Sequence, residues 1–414
     1  AWLLRAAPAE YASRFGLLRR LDPGIGIVFI NFWYPAARSE EVLHDRPTRV
    51  QMLGHRFVLF RNQKGQANCL ADVCVHRGGA LGYGRIRDDH IECPYHGWRF
   101  QGDGRCSLIP SMGHDAKIPA RAKVDSYPVD ERYGVVFVFL GDVDEESRAP
   151  VLPIPEFGDR GWRANLITFQ VKCNVERSIE NGLDPAHNEF VHPTHGFEGN
   201  RRDYRVPRLA IESSEWGAGF TAVFTGREAP EIPTRTAMRT DASGRFNPDV
   251  RAGTWYHGPN QMVTRIHMAG ENRIHQYLYE CPVDELTTNV FLVNLRNCLL
   301  DPAVDTKMVE RCRDVAGQDI AIIEHLAPVC RDDGNASEIL VPADAIVARY
   351  REDLRKWTAR GWRIDIAELQ MQRLRRTAAH VIPSPARRVE RNWVLPVVPT
   401  VRSSAEPSRC SEGE

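Results

Sequence analysis

Between residues 74 and 96 the chain places Cys74-x-His76 and Cys93-x-x-His96, two short loops that each offer one thiol and one imidazole. Sixteen residues separate the loops, and the stretch HRGGALGYG is glycine-rich enough to bend sharply around a shared centre. Two thiolates and two imidazoles suit tetrahedral zinc, or a [2Fe-2S] cluster with cysteines on one iron and histidines on the other. Zinc sites commonly draw their cysteines together from one knuckle. Here each loop supplies one of each kind, as differently ligated irons require, so a cluster is the first reading and structural zinc its alternative.

The other eight of the ten cysteines have no such pairing and read as small buried apolar side chains. Their scatter is not the dense spacing of a secreted disulfide scaffold, which predicts a reducing, cytoplasmic setting. The opening AWLLRAAPAEYASRFGLLRR lacks the order of a secretory signal. Lysine plus arginine (54) equals aspartate plus glutamate (54), leaving no global field for nucleic acid or an anionic bilayer. The longest apolar stretches, Gly24 to Trp33 and Gly134 to Leu140, fall short of the roughly 20 residues a membrane span needs.

With 414 residues, 43% of them apolar, the chain has material for two or three domain-sized units. From Thr48 to Leu140 short alternating runs (RVQML, HRFVLFRN, QANCLADV, HIECPYHGWRF, GVVFVFLG) are split by turn signals, as in a small all-β domain. The proline-bearing APVLPIPEF, 149–157, marks a boundary near 150. Beyond it, strand-like runs near 165, 206–226, 262–280 and 287–298 alternate with helical patterns in ERCRDVAGQDIAIIEHL and over 343–376, an α+β arrangement of antiparallel sheet and long helices. The expected division is an N-terminal segment 1–40 packing with the second domain, an all-β cluster domain 41–150, a second domain 151–380, and an extended C-terminal arm 381–414.

A second constellation lies in that second domain: Glu180-Asn181-x-x-Asp184-x-x-His187-x-x-x-x-His192. Asn181, Asp184 and His187 are three apart and would share one helical face. His187 and His192 are five apart, about 140° around an ideal helix, so a regular helix cannot aim both at one ion. The helix must loosen or stop, and Pro193 and Pro185 offer the means, with Asp184 a natural cap for a helix beginning at the latter. Two neutral histidines need a carboxylate partner from elsewhere to hold Fe(II) with positions open for oxygen.

Through CVHRGG at 74–79, CPYHGWRF at 93–100, NFWYPAA at 31–37 and the iron-binding run, the sequence resembles the catalytic subunits of the Rieske non-haem iron oxygenases. The resemblance implies that Cys74 and Cys93 hold the buried iron of a Rieske cluster and His76 and His96 the outer one. It also implies a helix-grip catalytic domain, in which an antiparallel sheet curls around a long helix. The third iron ligand would come from a later helix with a Gln-Asp pattern, which selects Asp319 in Gln318-Asp319-Ile320-Ala321-Ile322-Ile323-Glu324; Asp314 and Glu324 are its rivals, and His195 the rival of His192. Asn181 and Asp184 would serve catalysis, Asp184 by accepting hydrogen bonds from His187 and from His96 of the partner subunit in a homotrimer.

The implied function is that of a terminal oxygenase that uses dioxygen to hydroxylate or oxidatively demethylate an aromatic or other cyclic substrate. Electrons would come from NAD(P)H through a separate reductase, with or without a ferredoxin, since no G-x-G-x-x-G follows a strand. The short Asn-Gly-Leu-Asp-Pro-Ala-His spacing resembles the demethylase and monooxygenase branch; cis-dihydroxylation is the alternative. A non-catalytic redox or ligand-binding protein is the alternative of another class, and the complete His187, His192, Asp319 set argues against it.

Overall fold

The strand Val135–Leu140 shows why this chain cannot be read as one alternating sheet: all six residues of VVFVFL are buried. One face joins Phe32 and Tyr34 in the larger core, and the other packs Val135 and Phe137 against Val263, Tyr277 and Tyr279. A strand covered on both sides loses the polar half of its alternation. It pairs antiparallel with Phe32–Arg38 on one edge and Val129–Arg132 on the other, and this three-stranded sheet abuts the second domain.

The computed structural model describes residues 28–195, 199–225, 233–241, 243–327, 338–375 and 379–401. Residues 1–27 of the N-terminal segment, residues 402–414 of the arm, Cys330 and Cys410 lie outside them. Among the described residues no helix is long and apolar enough to cross a membrane.

Two four-stranded antiparallel sheets carry the cluster loops. One orders Thr48–Met52, His55–Arg61, Ala67–Ala71 and Ser126–Tyr127; the other orders Arg85–Arg87, His90–Glu92, Arg99–Phe100 and Cys106–Leu108. Their apolar faces enclose a small core that includes Val58, Phe60, Leu70, Ile91 and Phe100 beside Cys74 and Cys93.

The second domain is a seven-stranded antiparallel sheet in the order Arg163–Val171, Thr287–Arg296, Arg273–Asp284, Gln261–His267, Asp249–His257, Gly217–Thr225, Glu212–Ser214. The run 262–280 proves to be two strands joined by a tight turn, with Met268 N–H bonded to Asn272 O; Ala269 and Gly270 break an otherwise strand-like composition. Asp249–His257 was not legible as a strand because its charged start and Ala-Gly centre carry weak strand propensity; pairing on both edges holds it.

The helices are α1 (Val175–Leu183), α2 (Asn188–Val191), α3 (Pro233–Met238), α4 (Asp305–Ile323), α5 (Ala345–Ala359), α6 (Ile366–Arg375) and α7 (Ala386–Val389). The long α4 lies on the sheet through Cys312, which meets Ile167 and Leu292, and Ile323, which meets Val171 and Val290. At its start Asp305 accepts hydrogen bonds at 2.6 Å from both Arg163 Nε and Arg296 Nη2, pinning helix to sheet. This is the long helix gripped by an antiparallel sheet that the family resemblance implied.

The N-terminal strand belongs with this domain as much as with the first. Ile30 N–H bonds Trp362 O, and Phe32 packs edge-on against Trp357 and Trp362. Residues 381–401 do not run out as an extended arm. The chain doubles back so that Val381 bridges Val397, and Arg387 clamps Asp125 of the cluster domain at 2.6 and 2.7 Å. The composition that suggested an arm, proline and charge, instead serves these tight turns and ion pairs.

Candidate metal centres and active-site cavity

Each cluster loop is closed by its own backbone. Gly78 N–H bonds Cys74 O and Cys74 N–H bonds Gly79 O, while Gly97 N–H bonds Cys93 O and Cys93 N–H bonds Trp98 O. Gly78 and Gly97 take φ near +70°, a conformation that β-carbon-bearing residues avoid. Gly79 is tightly packed, since a β-carbon there would lie 3.0 Å from Cys93 Sγ and force the thiol to give way. The loops thus bury both thiols and leave both imidazoles exposed, with the His76 and His96 rings 4.4 Å apart and Trp98 stacked on His76.

Burial and the neighbouring Cys93 push the Cys74 thiol up to about 12, so ionising that sulfur requires a cation beside it. Among the described residues, the one group of three or more metal-binding side chains drawn close enough to share a single ion is elsewhere in the chain. The four Cys and His side chains instead form a buried sulfur pair and an exposed imidazole pair. That donor set fits a two-iron cluster and does not fit one tetrahedral zinc.

The group close enough to share one ion is His187, His192 and Asp319, whose ligand atoms all lie within 4.8 Å of one another. His187 Nε2 and His192 Nε2 are 3.2 Å apart and stand 3.5 and 3.3 Å from Asp319 Oδ1. The local chain explains how five-apart histidines converge. Helix α1, capped by Asn174, ends at Leu183, so Asn181, Asp184 and His187 do not share a helical face as their spacing suggested. Pro185 cannot continue the α1 hydrogen-bond ladder, and the backbone turns before α2. His192 then leaves α2 at φ −113° and ψ 73°, swinging its ring back ahead of Pro193.

The other ring nitrogens are held as ligation needs. His187 Nδ1 meets the backbone carbonyl of Asp184 at 2.7 Å, and His192 Nδ1 meets Gln318 Oε1 at 3.0 Å. Each bond places the proton on Nδ1 and leaves an Nε2 lone pair for a metal. Burial lowers the pKa of His187, which favours the neutral ring that ligates. Asn181 Nδ2 donates to Asp319 Oδ1 at 3.0 Å. Two neutral imidazoles and one carboxylate form the donor set suited to ferrous iron with open positions.

The Asp184 carboxylate differs from the sequence expectation. Its Oδ1 accepts the Ala186 N–H at 2.7 Å, a cap on the turn after Pro185, while Oδ2 stays 3.9 Å from His187 Nδ1. The main-chain carbonyl of the same residue takes the His187 hydrogen bond because the turn at 184–187 points it inward. Burial raises the Asp184 pKa.

The rivals are placed elsewhere. Glu324 accepts the Lys172 N–H, Asp314 is exposed, and the His195 ring borders the cavity 4.8 Å from the His192 ring without joining the triad. Glu180, part of the original polar run, is clamped by Arg351 at 2.6 and 2.9 Å and ties α1 to α5. Gln318 went unread as a functional residue, although its position next to Asp319 was the available signal.

A cavity of about 250 Å³ opens on the triad, walled mainly by apolar side chains that include Phe220, Phe224, Met262, Ile266, Leu278 and Val315.

In comparisons with known proteins, residues 32–128 match the Rieske [2Fe-2S] domain and residues 171–360 the vanillate O-demethylase oxygenase C-terminal domain. The chain is similar to chlorophyllide a oxygenase of Chlamydomonas reinhardtii, a chloroplastic protein, at 36% identity over 328 residues, covering 78% of this chain and 47% of that protein. It is 30% identical over 227 residues to protein TIC 55 of Pisum sativum, also chloroplastic, covering 52% of this chain and 41% of that one. Its fold is similar to that of NdmA from Pseudomonas putida CBB5 with caffeine, with a TM-score of 0.66 and 24% identity over 80% of this chain and 91% of that chain. The chain spans about half the length of the curated relatives it matches.

Proposed function

The chain belongs to the Rieske oxygenases, and from that premise we propose that it is a terminal oxygenase component that hydroxylates or oxidatively demethylates a cyclic substrate. The observation that carries this reading is the meeting of His187, His192 and Asp319 at the floor of one largely apolar cavity. Iron held there would supply the activation of dioxygen, fed by electrons from the cluster.

The chain's own residues set the conditions for that chemistry. Asp184 O and Gln318 Oε1 fix the histidine tautomers, and Asn181 orients the Asp319 carboxylate. Phe220, Leu278 and the other apolar walls favour a cyclic hydrocarbon skeleton and exclude water from the reacting face. Exposure of His76 and His96 puts the outer edge of the cluster where a redox partner can approach. A separate reductase, with or without a ferredoxin, would deliver NAD(P)H-derived electrons to that edge.

The same exposure supports a homotrimer in which the cluster of one subunit serves the iron of the next. Asp184 Oδ2 stands 3.9 Å from His187 Nδ1, and the side chain keeps 29% of its exposure. It can accept a hydrogen bond from the imidazole of the partner subunit's His96, completing a path between the two metals. The buried cysteines suit a reducing compartment, and we propose the cytoplasm.

The test is a reconstituted assay with the purified, iron-loaded protein, a surrogate reductase and NADH, on a panel of methoxylated, N-methylated and polycyclic compounds. Substrate-dependent oxygen uptake with label from ¹⁸O₂ in the product is expected. Cluster reduction without product from any compound would favour the non-catalytic alternative.

A further inference from the structure

Two arginines, Arg239 and Arg311, line the mainly apolar cavity, whose uncharged polar lining includes Thr254, Thr264, Gln276 and Asn294. Arg239, just past α3, is 4% exposed; one terminal nitrogen donates to Pro248 O at 2.5 Å, while its Nε is buried with no hydrogen-bond partner. Arg311, on α4, is half-buried and makes no hydrogen bond or ion pair with any described residue. Burial lowers the pKa of both, with Asp249 near the first and Cys312 and Asp314 near the second offsetting only part of the effect.

A buried ammonium could shed its proton to escape this cost, but a guanidinium does not. An arginine left buried without a carboxylate is expensive, and the cost is recovered when an anion binds. The planar fork of donors matches a carboxylate, which can accept two parallel hydrogen bonds.

The position of Arg311 also sets a length. Arg311 and Asp319 lie on the same helix eight residues apart, so their backbones are separated by a rise of ~12 Å along its axis. Side chains on a helix tilt toward its N-terminus, which carries the guanidinium further from the iron ligand. An anion on Arg311 therefore stands well away from the carbon that faces the triad.

We propose that the substrate is an elongated cyclic carboxylic acid, held with its carboxylate against Arg239 and Arg311 and its oxidisable carbon at the His187, His192, Asp319 end. The inference rests on the oxygenase reading for the role of that far end, but the anion site itself stands on the two arginines.

Binding to the iron-loaded protein, read by calorimetry or tryptophan quenching, separates the two. The probes are methoxybenzoic, methoxynaphthoic and cholic acids, each against its primary amide. At least one of the two larger acids should bind about tenfold or more tightly than its amide, the scale of one charge-assisted hydrogen bond. Arg311→Met should reduce the preference to about threefold or less, and Arg311→Lys should restore part of it. Arg239→Met should act in the same direction; because Arg239 also braces Pro248 O, Arg311 is the decisive position. Equal binding of acids and amides, no binding by any acid, or a preference that survives Arg311→Met would overturn the proposal. Oxygen uptake with the same acids is the separate readout: an acid that binds through Arg311 but is never oxidised would leave the anion site standing and remove the oxygenase reading.

Discussion

Gln318 Oε1 lies 3.0 Å from His192 Nδ1, so the residue preceding Asp319 holds the ring whose far nitrogen faces the Asp319 carboxylate. The same oxygen accepts the Thr194 hydroxyl at 3.1 Å, which locks the glutamine in place. Two consecutive residues of α4 therefore divide the work. One aims at the metal position and its neighbour fixes the tautomer of a histidine ligand across 126 residues of sequence.

Gln318→Ala should weaken ferrous iron binding about 10- to 100-fold, the usual effect of removing an outer partner of a ligating histidine. Gln318→Glu keeps an acceptor and should retain most of the affinity. Iron titration monitored by metal analysis after gel filtration reads both. Wild-type affinity in Gln318→Ala would show that the contact is incidental.

Asp319→Ala should lose the mononuclear iron and all turnover while the cluster absorption stays unchanged, since the two ligand sets occupy separate domains with separate cores. His195→Ala and Asp314→Asn should keep the iron. Loss of iron in Asp314→Asn with retention in Asp319→Ala would reassign the carboxylate.

Asp184→Asn should preserve both metals, because His187 is held by the main-chain carbonyl and an asparagine caps the Ala186 turn as well as an aspartate does. If Oδ2 accepts the N–H of the partner subunit's His96, oxidation of a pre-reduced cluster by substrate and oxygen should slow by at least ~100-fold in the variant. Stopped-flow single turnover reads this directly, and an undiminished rate would reject the bridge and its argument for a trimer.

Glu280 gives a pH prediction outside the metal site. The side chain is fully buried, accepts the Ser178 hydroxyl at 3.0 Å, leaves Oε2 without a partner among the described residues, and burial raises its pKa to about 8. Between the ordinary carboxylate value and about 8 the folded chain keeps a proton that the unfolded chain has lost, so stability falls as pH rises through that window and levels above it. Glu280→Gln should remove this slope, and relative to wild type it should gain on the order of 4 kcal/mol on going from about pH 5 to about pH 9. Urea unfolding at the two pH values would show the change; parallel pH dependence in both proteins would contradict it.

The sequence alone carried the parts of this protein whose geometry is local. Cys74-x-His76 and Cys93-x-x-His96 need only their glycines at 78, 79 and 97 to close each loop, and the turn between His187 and His192 needs only Pro185, a one-turn helix and Pro193. The choice of Asp319 came from resemblance to a family rather than from spacing. Other features depended on the sheet. Nothing in the local sequence marks Arg239, Arg311 or Glu280; strands and α4 bring the two arginines to one cavity, and sheet pairing buries the glutamate. The Asp184 main-chain carbonyl, rather than its carboxylate, proved to be the His187 partner, because a turn orients backbone and side chain together and composition encodes only the second. Contacts within a few residues are set by φ, ψ and proline, which the sequence states directly. Contacts across a hundred residues are set by how seven strands and a helix pack, and only the folded chain fixes which polar groups that packing leaves buried and facing one another.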